Sequence, residues 1–361
     1  MLKKVLRMME RMFERRKVHI GLNVKPRFIN FSLTRRCNSR CIMCNIWKNK
    51  DFSEELTFEE IKSVFERDKR FLNKVEFVQI TGGEPLLRED VVEIVTFLCS
   101  VLKGLDIIWV ITNGLATEMI IEKVRKIAKA CNKLAVSTSL EGRRKTHDKM
   151  RGIPGGYDKT VKTIKELVKL RDREFPWLTL SVGLTVSKLN DNPKEILHVY
   201  NLARKFNIGF SLRPVQVSPI YYENLEKSLS VPPEKAEELK KVFKFMLKDD
   251  KKSFFQRKEE EFYYYGVYHY IKDPSKFLLP CYAGSLSFFL TEKGDVYPCV
   301  FVEEKLGNVM EKSLKEILTS KRARKIRRKL LHNKCPNCWV ECESQRNATY
   351  HPEKVFLLGE W

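Results

Sequence analysis

Between residues 28 and 214 the chain alternates between short β-type runs and longer helical patterns, and this alternation narrows the fold more than any other feature. The strand candidates are residues 28–34, 75–81, 106–112, 133–139, 178–186 and 208–214. Most are rich in Ile, Val, Phe or Thr, as strands buried on both faces are. Helical periodicity fills the gaps at 57–67, 90–103, 117–130, 157–173 and 192–206. Strands joined by helices form a parallel sheet with right-handed crossovers. The sheet is either open and doubly wound or curved into a partial barrel. Both put ligands at the carboxyl ends of the strands.

At 361 residues the length suits about two domains, and 43% hydrophobic with 32% charged residues reads as globular. No apolar run approaches the ~18 residues of a membrane span. No short apolar stretch with a cleavage site follows Met1, which predicts a cytoplasmic protein. A net charge of +22 attracts nucleic acid, anionic lipid or an acidic substrate. Near the start, Leu2, Val5, Leu6, Met9, Met12 and Phe13 share one helical stripe among Lys3, Lys4, Arg7, Arg11, Arg15 and Arg16. The basic amphipathic helix of segment 1–24 either packs its apolar face on the body or lies in a membrane interface beside anionic lipid.

Ten cysteines fall into two groups and two outliers. Cys37, Cys41 and Cys44 lie within eight residues, directly after the first strand candidate. Cys335, Cys338 and Cys342 form a second group, with Cys281 and Cys299 upstream. Cys99 and Cys131 read as small buried residues, since disulfides are disfavoured without a secretory signal. Thiolates this close together suit a soft metal or an iron–sulfur cluster. Three from one loop can hold three irons of a four-iron cube and leave the fourth open for a substrate or cofactor. The alternative is zinc, with a fourth ligand from elsewhere.

The spacing Cys37-x3-Cys41-x2-Cys44 resembles the cluster loop of the radical S-adenosylmethionine (SAM) superfamily. At the end of the second strand, Gly82-Gly83-Glu84-Pro85 resembles the family's Gly-Gly-Glu-Pro motif, which receives the methionine amino group of SAM. Two glycines let the backbone approach a ligand closely. Thr112-Asn113-Gly114 ends the third strand, as in many members. Ser139-Leu140-Glu141-Gly142, then His147-Asp148 and Arg151-Gly152, resembles a run of peptide-modifying members whose Ser and Arg hold the SAM carboxylate and ribose region. Taken singly, Ser139 and Arg151 also read as a helix cap and a surface residue. The cofactor-binding set implied by the resemblance is Gly82, Gly83, Glu84, Pro85, Asn113, Ser139, Arg151, Val186 and Arg213. Two positions depart from the family: Met43 stands where many members have an aromatic residue, and Glu141 where they have Asp.

Cys281, twelve residues, Gly294, four residues and Cys299, followed by Cys335-x2-Cys338-x3-Cys342, resembles the SPASM or twitch extension of radical SAM enzymes. The full extension has seven cysteines and this chain has five. The resemblance implies one auxiliary [4Fe-4S] cluster held by four of them, Cys281 and Cys299 included. The alternative is a structural zinc ribbon. The expected fold is α/β: a partial (β/α)6 TIM-like barrel at 25–215, an aromatic-rich bridge at 216–280 and a small cysteine-rich SPASM/twitch-like domain at 281–361. The bridge holds Phe254, Phe255, Phe262, Tyr263, Tyr264, Tyr265, Tyr268 and Tyr270. These form either the core of two short helices or a wall over the barrel mouth.

The resemblance also implies the chemistry. A reduced cluster, fed by an external donor such as ferredoxin or flavodoxin, cleaves SAM to a 5′-deoxyadenosyl radical. That radical takes hydrogen from an unactivated C–H. The N-terminal helix, the charge and the aromatic segment point first to a membrane lipid, for example carbon–carbon bond formation in ether lipids, on the cytoplasmic membrane face. The enzymatic alternative is a maturase acting on a peptide or protein by thioether formation, crosslinking or residue oxidation. A non-enzymatic iron–sulfur or zinc protein binding RNA through 321–329 is discounted, because aromatic residues do not interleave that run.

Overall fold

The computed structural model describes residues 2–249 and 252–357, with side chains from residue 7 onward. After α1 (Leu2–His19) come β1 (Phe28–Thr34), α2 (Phe58–Asp68), β2 (Phe77–Gly82), α3 (Val91–Val101), β3 (Ile107–Thr112), α4 (Thr117–Ala130), β4 (Leu134–Ser139), α5 (Arg144–Arg151), α6 (Gly156–Glu174), β5 (Thr179–Val186), α7 (Pro193–Lys205) and β6 (Gly209–Pro214). All the strands and helices expected from the alternation are present, each within two residues of its expected ends. The short charged helix α5 is additional.

Strand order is β6-β5-β4-β3-β2-β1, with every neighbouring pair parallel. The sheet does not close, so the barrel is partial. Beyond α8 (Ala236–Asp249) and α9 (Phe254–Lys272), strand β7 (Ser287–Leu290) extends this same sheet. It pairs in parallel with β1, Phe28 opposite Ser287. Two short antiparallel strands, β8 (Asp295–Tyr297) and β9 (Gly307–Asn308), finish it, followed by α10 (Leu314–Thr319) and α11 (Lys321–Leu331).

Side chains alternate across the barrel wall with period two. Ile29, Phe31, Leu33, Val78, Ile80, Ile108 and Val110 point outward into the main hydrophobic core beneath the helices. The intervening positions are more polar, and Asn30, Gln79, Thr81, Ser139 and Thr185 line the interior.

Helix α1 docks mainly through polar side chains, while Val18 near its end is buried against Phe28 and Tyr350. Arg7 pairs with Asp106, Arg11 with Glu76 and Glu14 with Arg27. Those partners flank the starts of β1, β2 and β3, so α1 lies across the amino ends of these strands. Met9, Met12 and Phe13 face outward and are exposed, as are Ile20 and Leu22 just beyond the helix. Met9, Met12 and Phe13 of the expected stripe therefore do not pack on the body. The side chains of Leu2, Lys3, Lys4, Val5 and Leu6 lie outside the described residues.

Two further expectations are corrected. Cys99 of α3 and Cys131 at the end of α4 form a disulfide, with Cα atoms 6.0 Å apart, because the two helices pack side by side. The aromatic segment is one 19-residue helix, α9, started by a Ser253–Gln256 capping box, rather than part of two short ones. Tyr264 stacks on Phe243 of α8 at 5.0 Å, and Tyr263 donates its hydroxyl to the Leu212 carbonyl. Tyr264 and Tyr268 are core residues. Phe255, Phe262 and Tyr263 wall a partly open cavity that reaches the amino ends of β1 and β2, away from the barrel mouth. Among the described residues no helix is long and apolar enough to cross a membrane.

Candidate active site

The loop carrying Cys37, Cys41 and Cys44 leaves β1 and is held from two sides. On one side Gly83 N–H donates to Thr34 O and Glu84 N–H to Arg36 O, both at 2.7 Å. A side chain could not replace either glycine: a Cβ on Gly82 would overlap Thr34 O, and one on Gly83 would overlap Arg36 O. Gly82 also has φ +126°, which other residues rarely adopt. On the other side Arg40 N–H donates to Arg151 O (3.0 Å), Ile42 N–H to Met150 O (2.9 Å) and Ser39 Oγ to Arg151 O (3.1 Å). The cysteine loop, the glycine edge and the end of α5 thus form one assembly.

All three cysteines line a cleft of about 170 Å³ at the carboxyl ends of the strands, with Gly82, Gly83, Asn113, Ser139, Arg151 and Arg213. Burial pushes the Cys37 and Cys44 thiols up to about 12. Among the described residues, no three Cys, His, Asp or Glu groups converge as one metal ion would require. Three thiolates from one loop fit a four-iron cube, which spreads its ligands over separate irons.

Three of the expected cofactor residues stand behind the cleft. Glu84 is buried and fully engaged: Oε2 accepts from Asn113 N–H (2.6 Å) and Thr112 Oγ1 (3.0 Å), and Oε1 from Leu86 N–H (3.2 Å). Burial raises its carboxyl to about 7 despite these bonds. Glu84 therefore ties the end of β2 to β3. Pro85 continues that turn. Val186 faces outward into the second hydrophobic cluster, because it lies at an odd step from the inward Thr185.

Arg151 and Glu141 explain each other. Arg151 Nη2 donates to Glu141 Oε1 at 2.6 Å and Nη1 reaches Cys41 Sγ at 3.4 Å. Burial alone would lower the Arg151 pKa, but Cys41 and Glu141 outweigh it and raise it. Glu141 Oε2 accepts from Thr185 N–H at 2.8 Å. His147, pushed down to about 3 by burial and by Arg151, accepts Glu141 N–H on Nδ1. Trp47, whose indole donates to Cys44 O, brings an aromatic surface to the cleft near Met43.

Several lining residues escape the motif reading: Asn30, Gln79, Thr81, Thr185, Tyr221 and Glu341. For Asn30, Gln79, Thr81 and Thr185 the signal is polarity at alternate positions of otherwise apolar strands; Tyr221 and Glu341 lie outside the strands and carry no such signal. Neither side-chain amide atom of Asn30 has a partner. Tyr221 braces the glycine edge, its hydroxyl shared with Thr81 Oγ1 (2.5 Å) and Gly82 N–H (3.2 Å).

Below the cleft lies a larger cavity of about 780 Å³. Gln79, Ile111, Arg213, Glu341 and Cys342 border both spaces. The lower cavity is walled by Phe28, Phe77, Trp109, Phe262, Tyr263 and Trp339, and Arg7, Met8 and Arg11 of α1 close its floor.

Cys281, Cys299, Cys335, Cys338 and Cys342 gather around Glu343. Burial raises every one of these thiols, with Glu343 adding to each shift and neighbouring sulfurs to those of Cys281, Cys299 and Cys338. Glu343, itself raised to about 7 by burial, accepts from Ser287 Oγ on β7. The donor set is sulfur-rich and shielded, which fits an iron–sulfur cluster.

Residues 31–203 match the Radical SAM superfamily, and residues 281–339 match SPASM, an iron-sulfur cluster-binding domain. The chain belongs to the radical SAM superfamily. It is a radical SAM enzyme whose cofactors are SAM, a [4Fe-4S] cluster and an auxiliary cluster. The AdoMet-dependent heme synthase of Methanosarcina barkeri is 28% identical, over 94% of this chain and 97% of its own. The sporulation killing factor maturation protein SkfB of Bacillus subtilis is 22% identical, over 86% of this chain and 69% of its own. Streptococcus suis SuiB, solved with its precursor peptide SuiA, shares the enzyme's fold with a TM-score of 0.63 at 15% identity, covering 87% of this chain and 70% of that one.

Proposed function

We propose that Cys37, Cys41 and Cys44 hold the SAM-binding cluster, and that Gly82, Gly83, Asn113, Ser139, Arg151 and Arg213 form the SAM pocket. Cys281, Cys299 and two of Cys335, Cys338 and Cys342 hold the auxiliary cluster. When bound, the first cluster supplies the electron that splits SAM and yields the 5′-deoxyadenosyl radical. The chain's own part is to place the substrate C–H below SAM and to keep water away from it.

The substrate reading rests on the lower cavity. Its volume lies within the ~300–1,000 Å³ typical of small-molecule sites. Its walls are aromatic and its cations are arginines. A flat tetrapyrrole bearing carboxylates matches both, and the end-to-end likeness to a heme synthase supports this class. A peptide substrate is the second reading, favoured by SkfB and by the SuiB fold, and the comparisons favour it over a lipid. Anaerobic, reduced enzyme titrated with iron coproporphyrin III is expected to shift the porphyrin's Soret band and to form 5′-deoxyadenosine faster with SAM. No shift and no stimulation, with stimulation by a peptide fraction instead, would move the assignment to peptides.

The outward face of α1 supports a membrane contact independent of the substrate. Met9, Met12 and Phe13 are exposed beside Arg16 and Lys17 on a chain of charge +22, which complements an anionic bilayer. Phe13→Asp is expected to weaken co-sedimentation with phosphatidylglycerol vesicles about tenfold or more, since one buried aromatic contributes about 1.5–3 kcal/mol. Equal pelleting of both proteins would exclude this contact.

A further inference from the structure

Four arginines line the lower cavity. Arg7 pairs with Asp106 at 2.8 Å, Arg11 with Glu76 at 3.2 Å and Arg213 with Glu341 at 3.5 Å. Arg346, just after the π-helical turn Glu341–Gln345, has no acidic partner within ion-pair distance among the described residues. Its guanidinium carbon stands 3.6 Å from the centroid of the Phe77 ring and 4.6 Å from that of Phe28. Nη1 is closed off from solvent with no hydrogen-bond partner.

Arg346 is only partly buried, but an N–H of an ionised group sealed from water with no acceptor is costly. Stacking on two aromatic faces offsets part of that cost and fixes the plane of the fork. It leaves Nη1 without an acceptor, on a residue that lines the cavity, and a carboxylate is the acceptor that matches a guanidinium fork. We infer that Arg346 is the docking point for a carboxylate of the substrate, on the reading that the lower cavity is the substrate site. Phe28 and Phe77 hold its fork across the amino ends of β1 and β2, and the apolar body of the substrate extends from there toward the cleft. The competing role is charge balance, since Glu341, Cys342 and Glu343 surround Arg346 without bonding to it.

Two fluorescent probes separate these roles in anaerobic holoenzyme: 8-anilinonaphthalene-1-sulfonate, whose sulfonate stands in for a carboxylate, and neutral N-phenyl-1-naphthylamine. The wild type is expected to bind the anion about tenfold to a hundredfold more tightly than the neutral probe, as a charge-assisted bond gives. Arg346→Met should lose this preference and keep neutral-probe binding, while Arg346→Lys retains part of it. Iron content and the auxiliary cluster's EPR spectrum should stay unchanged in both. Equal binding of the two probes by the wild type overturns the inference without any variant. So does a preference that survives in Arg346→Met, or an altered EPR spectrum with the preference intact. If the anion preference stands but iron coproporphyrin III does not bind, the tetrapyrrole reading fails and the carboxylate site remains.

Discussion

Replacing Cys41 with alanine is expected to abolish SAM cleavage while leaving about half of the iron in place. Cys41 is a buried member of the first cysteine loop, with Sγ 3.1 Å from Ser39 Oγ and 3.4 Å from Arg151 Nη1. Both neighbours are themselves fixed, Ser39 by the Arg151 carbonyl and Arg151 by Glu141. Nothing nearby can move in to replace the lost sulfur. Loss of a group that only orients a ligand typically weakens metal binding 10- to 100-fold, so loss of a ligand should reduce 5′-deoxyadenosine formation by more than about 100-fold. The second cysteine group is built on β7 and the segments around it, and its fold does not depend on Cys41. With one four-iron cluster at each site, iron should fall from about eight to about four per chain. A variant that cleaves SAM at the wild-type rate would remove the 37–44 loop from the chemistry. One that loses all iron would show that the two groups do not bind independently.

How far the sequence revealed this site depends on the range of the interaction. The cysteine loop and the Gly82–Gly83 edge are local patterns, and their adjacency follows from parallel pairing of β1 and β2, Thr34 opposite Gly82. The strands themselves were legible because burial on both faces demands apolar runs. Asn30 and Gln79, which face each other across that ladder, read simply as breaks in an apolar pattern until the barrel gives the inner face a ligand to meet. Val186 was misplaced by a single step, and one step turns a strand residue to the other face. The Cys99–Cys131 pair spans 32 residues and exists only because α3 and α4 lie side by side. Helix α1 shows the same limit: its apolar stripe is plain in sequence, yet which face docks was decided by Arg27, Glu76 and Asp106, far along the chain.

That docking gives the second large effect, on stability. Arg27, just before β1, is 5% exposed and sits between two buried carboxylates. Its Nε and Nη2 donate to Glu14 of α1, at 3.2 and 2.7 Å, and Nη1 donates to Glu76 at 2.7 Å. Burial alone would lower the Arg27 pKa, but the bonds to Glu14 and the field of Glu76 raise it above its ordinary value. Arg27→Met keeps much of the volume and removes the central cation, leaving Glu76 with Arg11 alone, at 3.2 Å, and Glu14 with Lys74 alone, at 3.7 Å. Breaking a buried ion network from one side typically costs about 3–5 kcal/mol where the remaining charges are uncompensated, and Arg11 and Lys74 set the expected loss at the lower end, about 3 kcal/mol. Chemical denaturation of the anaerobic holoenzyme should show a loss of that size. Arg27→Lys should lose less, since it keeps the charge but gives up the fork. Adding Glu14→Gln to Arg27→Met should recover part of the loss, because the carboxylate left with the more distant cation is gone. A loss below about 1 kcal/mol would mean that water reaches the network and that α1 is held mainly by its other contacts. Because α1 also floors the cavity through Arg7, Met8 and Arg11, a released helix would open that cavity further to solvent. Arg27→Met should therefore quench more readily the fluorescence of a naphthalene probe bound there, at denaturant concentrations where the barrel is still folded.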